Sequence, residues 1–347
     1  MIKSVVSIVC IFPLLLFSQQ LSNISIKGLK KTRESYVRQF LTIEVGDQIN
    51  SEAIERDRRM LTNLEMFSHV HAEVVPVDSL HAEVLFQCNE LYTLLPIFSF
   101  GGIEENFWVQ AGLSEVNLAG RGHKLTAYYQ YYDRSSAAIH LTLDRLAQSQ
   151  WGANFNFVKW STLEPLFFDG VEVAYEYDNW TGGATITRNF QYRDKLEFGG
   201  AFFTEDFTKV GEGVAAAPAQ VKKRKVLGKL LHTIDRVDYF YFYQDGLKNF
   251  FNLQTVRSLD GDPAFYIAFN DLHYYKRFRS KGNLAIRYRM GLSSNEASPF
   301  APFVLDSYLN IRGVGNRVDR GTGAIILNAE YRHTLFERQK VAVQGVL

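Results

Sequence analysis

Residues 282–292 read GNLAIRYRMGL, in which Leu284, Ile286, Tyr288 and Met290 alternate with Asn283, Ala285, Arg287 and Arg289. A period of two is the signature of a β-strand with one apolar and one polar face. Two architectures use such strands. A soluble sandwich turns its apolar faces inward, whereas a membrane barrel turns them outward to lipid and keeps a polar lumen. Arginines in mid-strand favour the second, because a dry core tolerates unpaired charge poorly and a wet lumen accepts it.

The same alternation recurs from Leu94 onward. In HKLTAYYQYYD, Leu125, Ala127, Tyr129 and Tyr131 oppose Lys124, Thr126, Tyr128 and Gln130. AAIHLTLDRL, GANFNFVKW, GVEVAYEYDNW, KLEFGGAFF, VDYFYFYQD and PAFYIAFNDLHYYKRF read likewise. Trp151, Trp160 and Trp180 fall near segment ends, where interfacial aromatic girdles lie. At ~20 residues per strand and connection, this region supplies about twelve strands. The chain has 347 residues, 14% aromatic, with a formal charge of +1. So even a balance gives no electrostatic case for a nucleic-acid partner.

The N-terminus, MIKSVVSIVCIFPLLLFSQQ, has one lysine, an apolar run from Val5 to Phe17 and small or polar residues after it. That is the layout of a secretory signal peptide over residues 1–20, the alternative being a buried strand or short anchor. Cleavage near Ser18 to Gln20 would remove Cys10 and leave Cys88 without an intrachain disulfide partner. No later segment reaches the length of an apolar helical span.

Residues 21–91 read as a small α+β module. A short strand ends at Gly28, and RESYVRQFL places Tyr36, Val37, Phe40 and Leu41 on one helical face. Asn50 or Ser51 can cap a second helix presenting Ile54, Leu61 and Leu64 inward, and two alternating strands follow around Asp78 and Ser79. IKGLKKTRESYVRQFL, GDQIN and LTNLEMFSHV, in this order, resemble the polypeptide-transport-associated (POTRA) domain; a generic α+β spacer is the plainer reading. The resemblance implies a periplasmic domain that pairs a strand edge with extended clients or accessory proteins.

The barrel-like region carries a second resemblance. NIRGVGN, at 310–316, is followed by GTGAIILNAEYRH, whose Ile325, Leu327, Ala329 and Tyr331 alternate with Asn328, Glu330 and Arg332. With AGLSEVNLAGRGHKL upstream, this resembles the BamA/TamA-type outer-membrane assembly and translocation proteins. The resemblance implies a POTRA-like domain before an antiparallel transmembrane β-barrel over residues 92–347. It also implies that Ile311, Arg312 and Gly313 form a motif on a loop inside the lumen. Glu330 is then the acidic partner of Arg312 on the wall, and Asn117, Gly120, Arg121 and Gly122 form the turn between the opening strands. The residue after the motif is commonly aromatic in that family; here it is Val314. Taken alone, Arg312 reads as a solvated loop arginine.

About 12–13 of that barrel's sixteen strands are expected here, because the sequence stops within QKVAVQGVL. A truncated product, a partial sequence and a barrel completed by another chain are the three readings. His69 and His71 lack a third ligand nearby, VKKRK at 221–225 reads as a solvated loop, and no phosphate loop or nucleophile motif is evident. The expectation is therefore a non-enzymatic protein without cofactor or metal. It sits in the outer membrane of a Gram-negative bacterium, with its N-terminal domain in the periplasm. Its partners are unfolded outer-membrane or secreted polypeptides, outer-membrane lipid and periplasmic accessory proteins, with no nucleic acid. The alternatives are a passive pore or structural protein, and a translocator dedicated to one exported partner.

Overall fold

The computed structural model describes residues 19–101, 107–168, 170–190, 193–240, 243–279, 281–295, 301–305, 311, 319–338 and 341–346. The expected leader lies almost wholly outside this set. The N-terminal domain runs β1 (Gln20–Lys27), α1 (Glu34–Val37) with a 3-10 turn at Arg38–Phe40, α2 (Ser51–Thr62), β2 (Phe67–Pro76) and β3 (His81–Glu90). β3 is the centre of a three-stranded sheet, parallel to β1 and antiparallel to β2. Its inward positions Ala82, Val84, Phe86 and Cys88 are buried, which is why the central strand alternates so strictly. Tyr36, Val37, Ile54 and Leu61 close the core from the helical side. Burial first, and then Glu90, pushes the Cys88 thiol up to about 11, so it packs as a small apolar group.

Two local expectations resolve into finer detail. Asn50 is the cap of α2, its side-chain oxygen accepting from Glu52 N at 2.9 Å and Ala53 N at 3.2 Å. The first helix is much shorter than its apolar spacing suggests. Buried Asp57 draws the chain away after Phe40, accepting from Thr42 N (2.7 Å), Thr42 Oγ1 (2.7 Å) and Ile43 N (3.1 Å). Those charge-assisted bonds replace the helical ones the segment forgoes.

Behind it stand β4 (Leu94–Gly101), β5 (Trp108–Leu118), β6 (His123–Tyr132), β7 (Arg134–Leu143), β8 (Trp151–Phe168), β9 (Val171–Asn189) and β10 (Lys195–Lys209). There follow β11 (Gln220–Phe240), β12 (Tyr243–Ser258), β13 (Phe265–Phe278), β14 (Gly282–Ser293), β15 (Phe303–Leu305), β16 (Asp319–Gly321), β17 (Gly323–Arg338) and β18 (Val341–Val346). Thirteen of these form one antiparallel meander, with β14 pairing β17 directly and β15 with β16 forming a separate ribbon between them. Among the described residues, β4 and β18 stand at the edges of the sheet. The sheet curls: side chains from seven strands between β5 and β12 line one cavity, Val116, Lys124, Thr142, Asn189, Lys195, Thr233 and Lys248 among them. A flat sheet could not bring them together.

Parity follows the sequence. Leu125, Tyr129, Tyr131, Ile325 and Leu327 are exposed on the outer face, while Arg287 and Asp271 pair on the inner one. Three readings need correction. Trp160 takes inner-face parity, opposite Asn179 and beside buried Thr162 and Glu164, so it is not part of an outer girdle. VDYFYFYQD is not one strand: β11 ends and β12 begins within it, in register Phe240↔Tyr243, a reversal too tight to interrupt the alternation. VKKRK is no loop but the start of β11, where Asp206, Asp262, Asp260 and Glu205 neutralise its four cations.

Asp57→Ala leaves three donors without their acceptor and should destabilise the N-terminal domain by about 3 kcal/mol. Hydrogen exchange on the full chain would then show faster amide exchange in α2 and β3, with β8 to β12 unchanged. Unaltered exchange would contradict this role for Asp57.

Candidate functional site

The N-terminal domain sits across one end of the barrel, held by the turns that join its strands. The predicted turn residues Asn117, Gly120, Arg121 and Gly122 do come together where β5 turns into β6. Asn117, Gly120 and Gly122 dock the domain there, while among the described residues Arg121 bonds only within the turn, through its backbone. Buried Asn117 donates to Thr32 Oγ1 at 2.8 Å, and its side-chain oxygen accepts from Gly122 N at 2.9 Å. Arg33 N donates to Gly120 O at 2.8 Å and Arg33 Nε to Ala119 O at 3.1 Å. Gly120 has φ +71°, and an added Cβ would lie 2.1 Å from Lys31 O. At Gly122, φ +64°, it would lie 2.0 Å from the Tyr36 hydroxyl. Both glycines are thus required twice, by conformation and by close approach.

The Lys30–Thr32 segment is fixed from the other side by Glu90, which accepts from the backbone amides of Lys30, Lys31 and Thr32 at 2.8–2.9 Å. Burial raises the Glu90 pKa, but hydrogen bonds from Thr32, Lys31 and Lys30 outweigh it and hold the carboxyl below its ordinary value. Lys31 meanwhile reaches Glu115 at 2.7 Å and Thr93 Oγ1 at 2.9 Å.

A second turn, between β7 and β8, meets α1. Tyr36 donates to Asp144 at 3.2 Å, Asn189 donates to the other Asp144 oxygen at 3.0 Å, and the Arg145 guanidinium lies 4.4 Å from the Phe40 ring centroid. Burial, and next the Asp144 charge, hold the Tyr36 phenol well above its usual pKa, so it remains a donor at neutral pH. Two exposed pairs add to these: Lys124, just after the first turn, to Glu65 at 3.1 Å, and Arg59 to Asp238 at the end of β11 at 3.5 Å. Between these supports lies a vestibule of about 780 Å³ opening into the barrel, its lining mixing Lys124, Arg193 and Lys248 with Glu65, Asp144 and Asp235.

Several charges inside the barrel are paired. Asp271 receives Arg287 in a fork at 2.8 and 2.6 Å, with His273 at 3.1 Å and Arg289 at 4.0 Å. Of the predicted loop motif, Ile311 is half-buried, while Arg312 and Gly313 lie outside the described residues. Glu330 forms an ion pair with Arg332 two residues on, along the same strand face. Another arginine of that stretch also reaches a wall carboxylate. Arg320, on the β15–β16 ribbon, pairs with Glu164 on β8, with both side chains largely buried. Arg320 precedes Gly321 in a second Arg-Gly step, the one signal that could have drawn attention to it. Glu164 sits in an otherwise ordinary alternating strand and carries no signal.

Residues 20–90 match the POTRA family, surface antigen variable number repeat. This part of the chain is a POTRA domain. No curated protein matches the chain in sequence. Solved structures do match in fold. BamA from Haemophilus ducreyi lacking POTRA domains 1–3 has a TM-score of 0.55 at 12% identity, over 93% of this chain and 69% of its own. CdiB from Acinetobacter baumannii scores 0.56 at 10% identity, over 91% and 60%. CdiB from Escherichia coli scores 0.62 at 13% identity, over 95% and 65%. The chain thus spans roughly two-thirds of the length of these structures and shares their fold.

Removing one partner of the Glu164–Arg320 pair takes from a largely buried charge its opposite, at about 3–5 kcal/mol locally. Arg320→Ala should therefore release the β15–β16 ribbon to added protease, while Glu164→Gln with Arg320→Gln together should be milder than either alone; additive effects would argue against direct coupling. Glu90 supplies a pH test. Its folded pKa is depressed, so its contribution is complete above the ordinary carboxylate value near ~4.3 and is lost as pH falls through the lower folded value. Amide exchange at Lys31 and Thr32, corrected for intrinsic rate, should rise only below about pH 4, and Glu90→Gln should abolish that step.

Proposed function

We propose that this chain is an outer-membrane protein, its POTRA domain in the periplasm, that assists insertion or translocation of other polypeptides. The observation carrying this reading is an open strand edge held at the mouth of a polar-lined barrel. Among the described residues β2 pairs only with β3, leaving its other side available within the three-stranded sheet, and Phe67 at its start lines the vestibule. A client strand added along β2 would thus run toward the barrel entrance, with backbone hydrogen bonds supplying affinity whatever its sequence. Exposed Val74 and Val75 offer it apolar contact.

Membrane placement is supported by the outer face of β8 and β9. Trp151 and Trp180 are both exposed there, and each has a cation against its ring: Arg188 at 5.1 Å and Lys159 at 5.7 Å. Eight residues separate the two levels along the ladder, about 20 Å along the axis of a tilted barrel. Phe155, Phe157 and Ile186 fill the interval. Aromatic rings with adjacent cations suit the two headgroup levels, and the apolar interval suits acyl chains. The domain docks at the Trp151 end, which on this reading is the periplasmic one. The ribbon tied by Arg320 to Glu164 would keep the barrel's shape while clients pass its edge.

Adjacent residues of a strand present their N–H groups to opposite sides. Of Val74→Pro and Val75→Pro, one removes a donor from the open edge and the other from the β3 ladder. The edge variant should lose photo-crosslinking to extended client peptides with the domain still folded, the ladder variant should unfold the domain, and full crosslinking by both would refute capture at β2. Depletion in cells separates the roles. An assembly factor lowers many outer-membrane proteins, a dedicated translocator lowers one exported partner, and a pore lowers none.

A further inference from the structure

We infer that a small cavity where the POTRA domain meets the barrel is a binding site for the phosphodiester headgroup of a phospholipid in the periplasmic leaflet. The cavity, about 180 Å³, lies between α1 and the two docking turns, lined by Arg33, Arg121, Arg145, His123 and Gln39, with no carboxylate in its wall. Among the described residues none of the three guanidinium groups forms an ion pair. Arg33 spends one nitrogen on Ala119 O, and Arg145 lies over Phe40. The acids next to lining residues in sequence are occupied, Asp144 by Tyr36 and Asn189 and Glu34 by Arg38. VKKRK at the opposite end of the barrel makes the contrast, since all four of its cations have carboxylate partners.

Two further atoms point to a missing ligand. His123 is only 9% exposed, and its Nδ1 is buried without a hydrogen-bond partner. The Gln39 side-chain oxygen is buried and unmatched in the same way, while its nitrogen donates to Ser35 O at 3.1 Å and so fixes the amide orientation. Native structures seldom leave such groups unanswered. A phosphodiester supplies acceptors for the guanidinium forks and for a protonated imidazole nitrogen, and the ammonium of an ethanolamine group supplies a donor for Gln39. The volume is well below the ~300–1,000 Å³ of clefts that enclose whole drug-sized ligands, which suits a headgroup whose tails lie elsewhere.

The tails have a place to go. His123 opens β6, and exposed Leu125 and Leu118 stand at the adjoining ends of β6 and β5 on the outer face. The cavity thus lies where the apolar band ends on the periplasmic side. This inference rests on the membrane placement proposed above. A lipid held here touches both the domain and the turns, and so stabilises the docked arrangement by mass action.

The test uses the full chain in detergent, measuring binding of short-chain phosphatidylethanolamine by native mass spectrometry. Arg121 is exposed and makes no described contact with the POTRA domain, so Arg121→Glu should leave the fold intact, as checked by heat-modifiable migration. It should weaken lipid binding about tenfold or more, whereas Lys222→Glu at the other end should not, and inorganic phosphate should fail to compete. Equal binding by Arg121→Glu and the unaltered chain would overturn the site. Full displacement by inorganic phosphate would overturn the lipid as its ligand. Recovery of the chain in aqueous buffer without detergent would instead overturn the membrane placement, and this inference with it.

Discussion

A strand that is polar on one side and apolar on the other cannot leave both faces in the same medium, and thirteen such strands in one sheet make that constraint global. The sheet answers it by curling around the polar face. Once it curls, the inner charges lose much of their water and must find one another. Asp271 gathers Arg287, His273 and Arg289; Glu205 takes Lys225; Glu164 takes Arg320. These pairs are compensations demanded by the architecture, and their value lies in specificity more than in net stability. The outer face meets the same constraint in reverse, with apolar rows bounded by tryptophans that carry a cation each.

The junction between the two domains has an uneven construction. On one side it is dense and buried: Asn117 with Thr32, two glycines without room for a Cβ, Tyr36 on Asp144. Away from that side, at the end of β11, it is held by the exposed pair of Asp238 with Arg59. Exposed pairs contribute little and weaken with salt. The buried side therefore sets where the POTRA domain stands, and the vestibule lies between a firm support and a weak one. That arrangement keeps the β2 edge in a constant relation to the barrel mouth while leaving the opposite margin easily parted.

At the other end of the barrel, long strands project past the level of Trp180 and build a core of their own. Leu166, Val173, Tyr175, Phe207 and Ala217 pack there, and Tyr175 donates to Pro218 O at 2.6 Å, drawing the connection between β10 and β11 inward. Glu164 lies two residues below Leu166, so the Arg320 ribbon meets the wall just beneath this cluster. The two ends of the barrel thus carry different devices, a docked domain at one and an inward-folded cluster with a tethered ribbon at the other.

Much of this was legible in the residues alone. Strand identity and parity follow from a period of two, which any residue pair reports locally, so Leu125, Arg287 and Ile325 could be assigned to their faces without coordinates. The POTRA-like module and the Asn117–Gly122 turn were legible through a family resemblance carried by short motifs in order. What needed the tertiary structure is whatever depends on distance in space between residues distant in sequence. Trp160 is not such a case: its place near a segment end points to a girdle, whereas its spacing from Phe155 and Phe157 already puts it on the inner face, where it opposes Asn179. The reversal after Phe240 was hidden because a very tight turn leaves the alternation unbroken. Lys222 to Lys225 became strand because acids from neighbouring connections and strands neutralise them. Glu164 and Arg320 are 156 positions apart, and the unpaired arginines around His123 come from one helical turn and two loops. Periodicity describes how a segment meets its surroundings; which charges then face each other is decided only when the sheet curls and the domain docks.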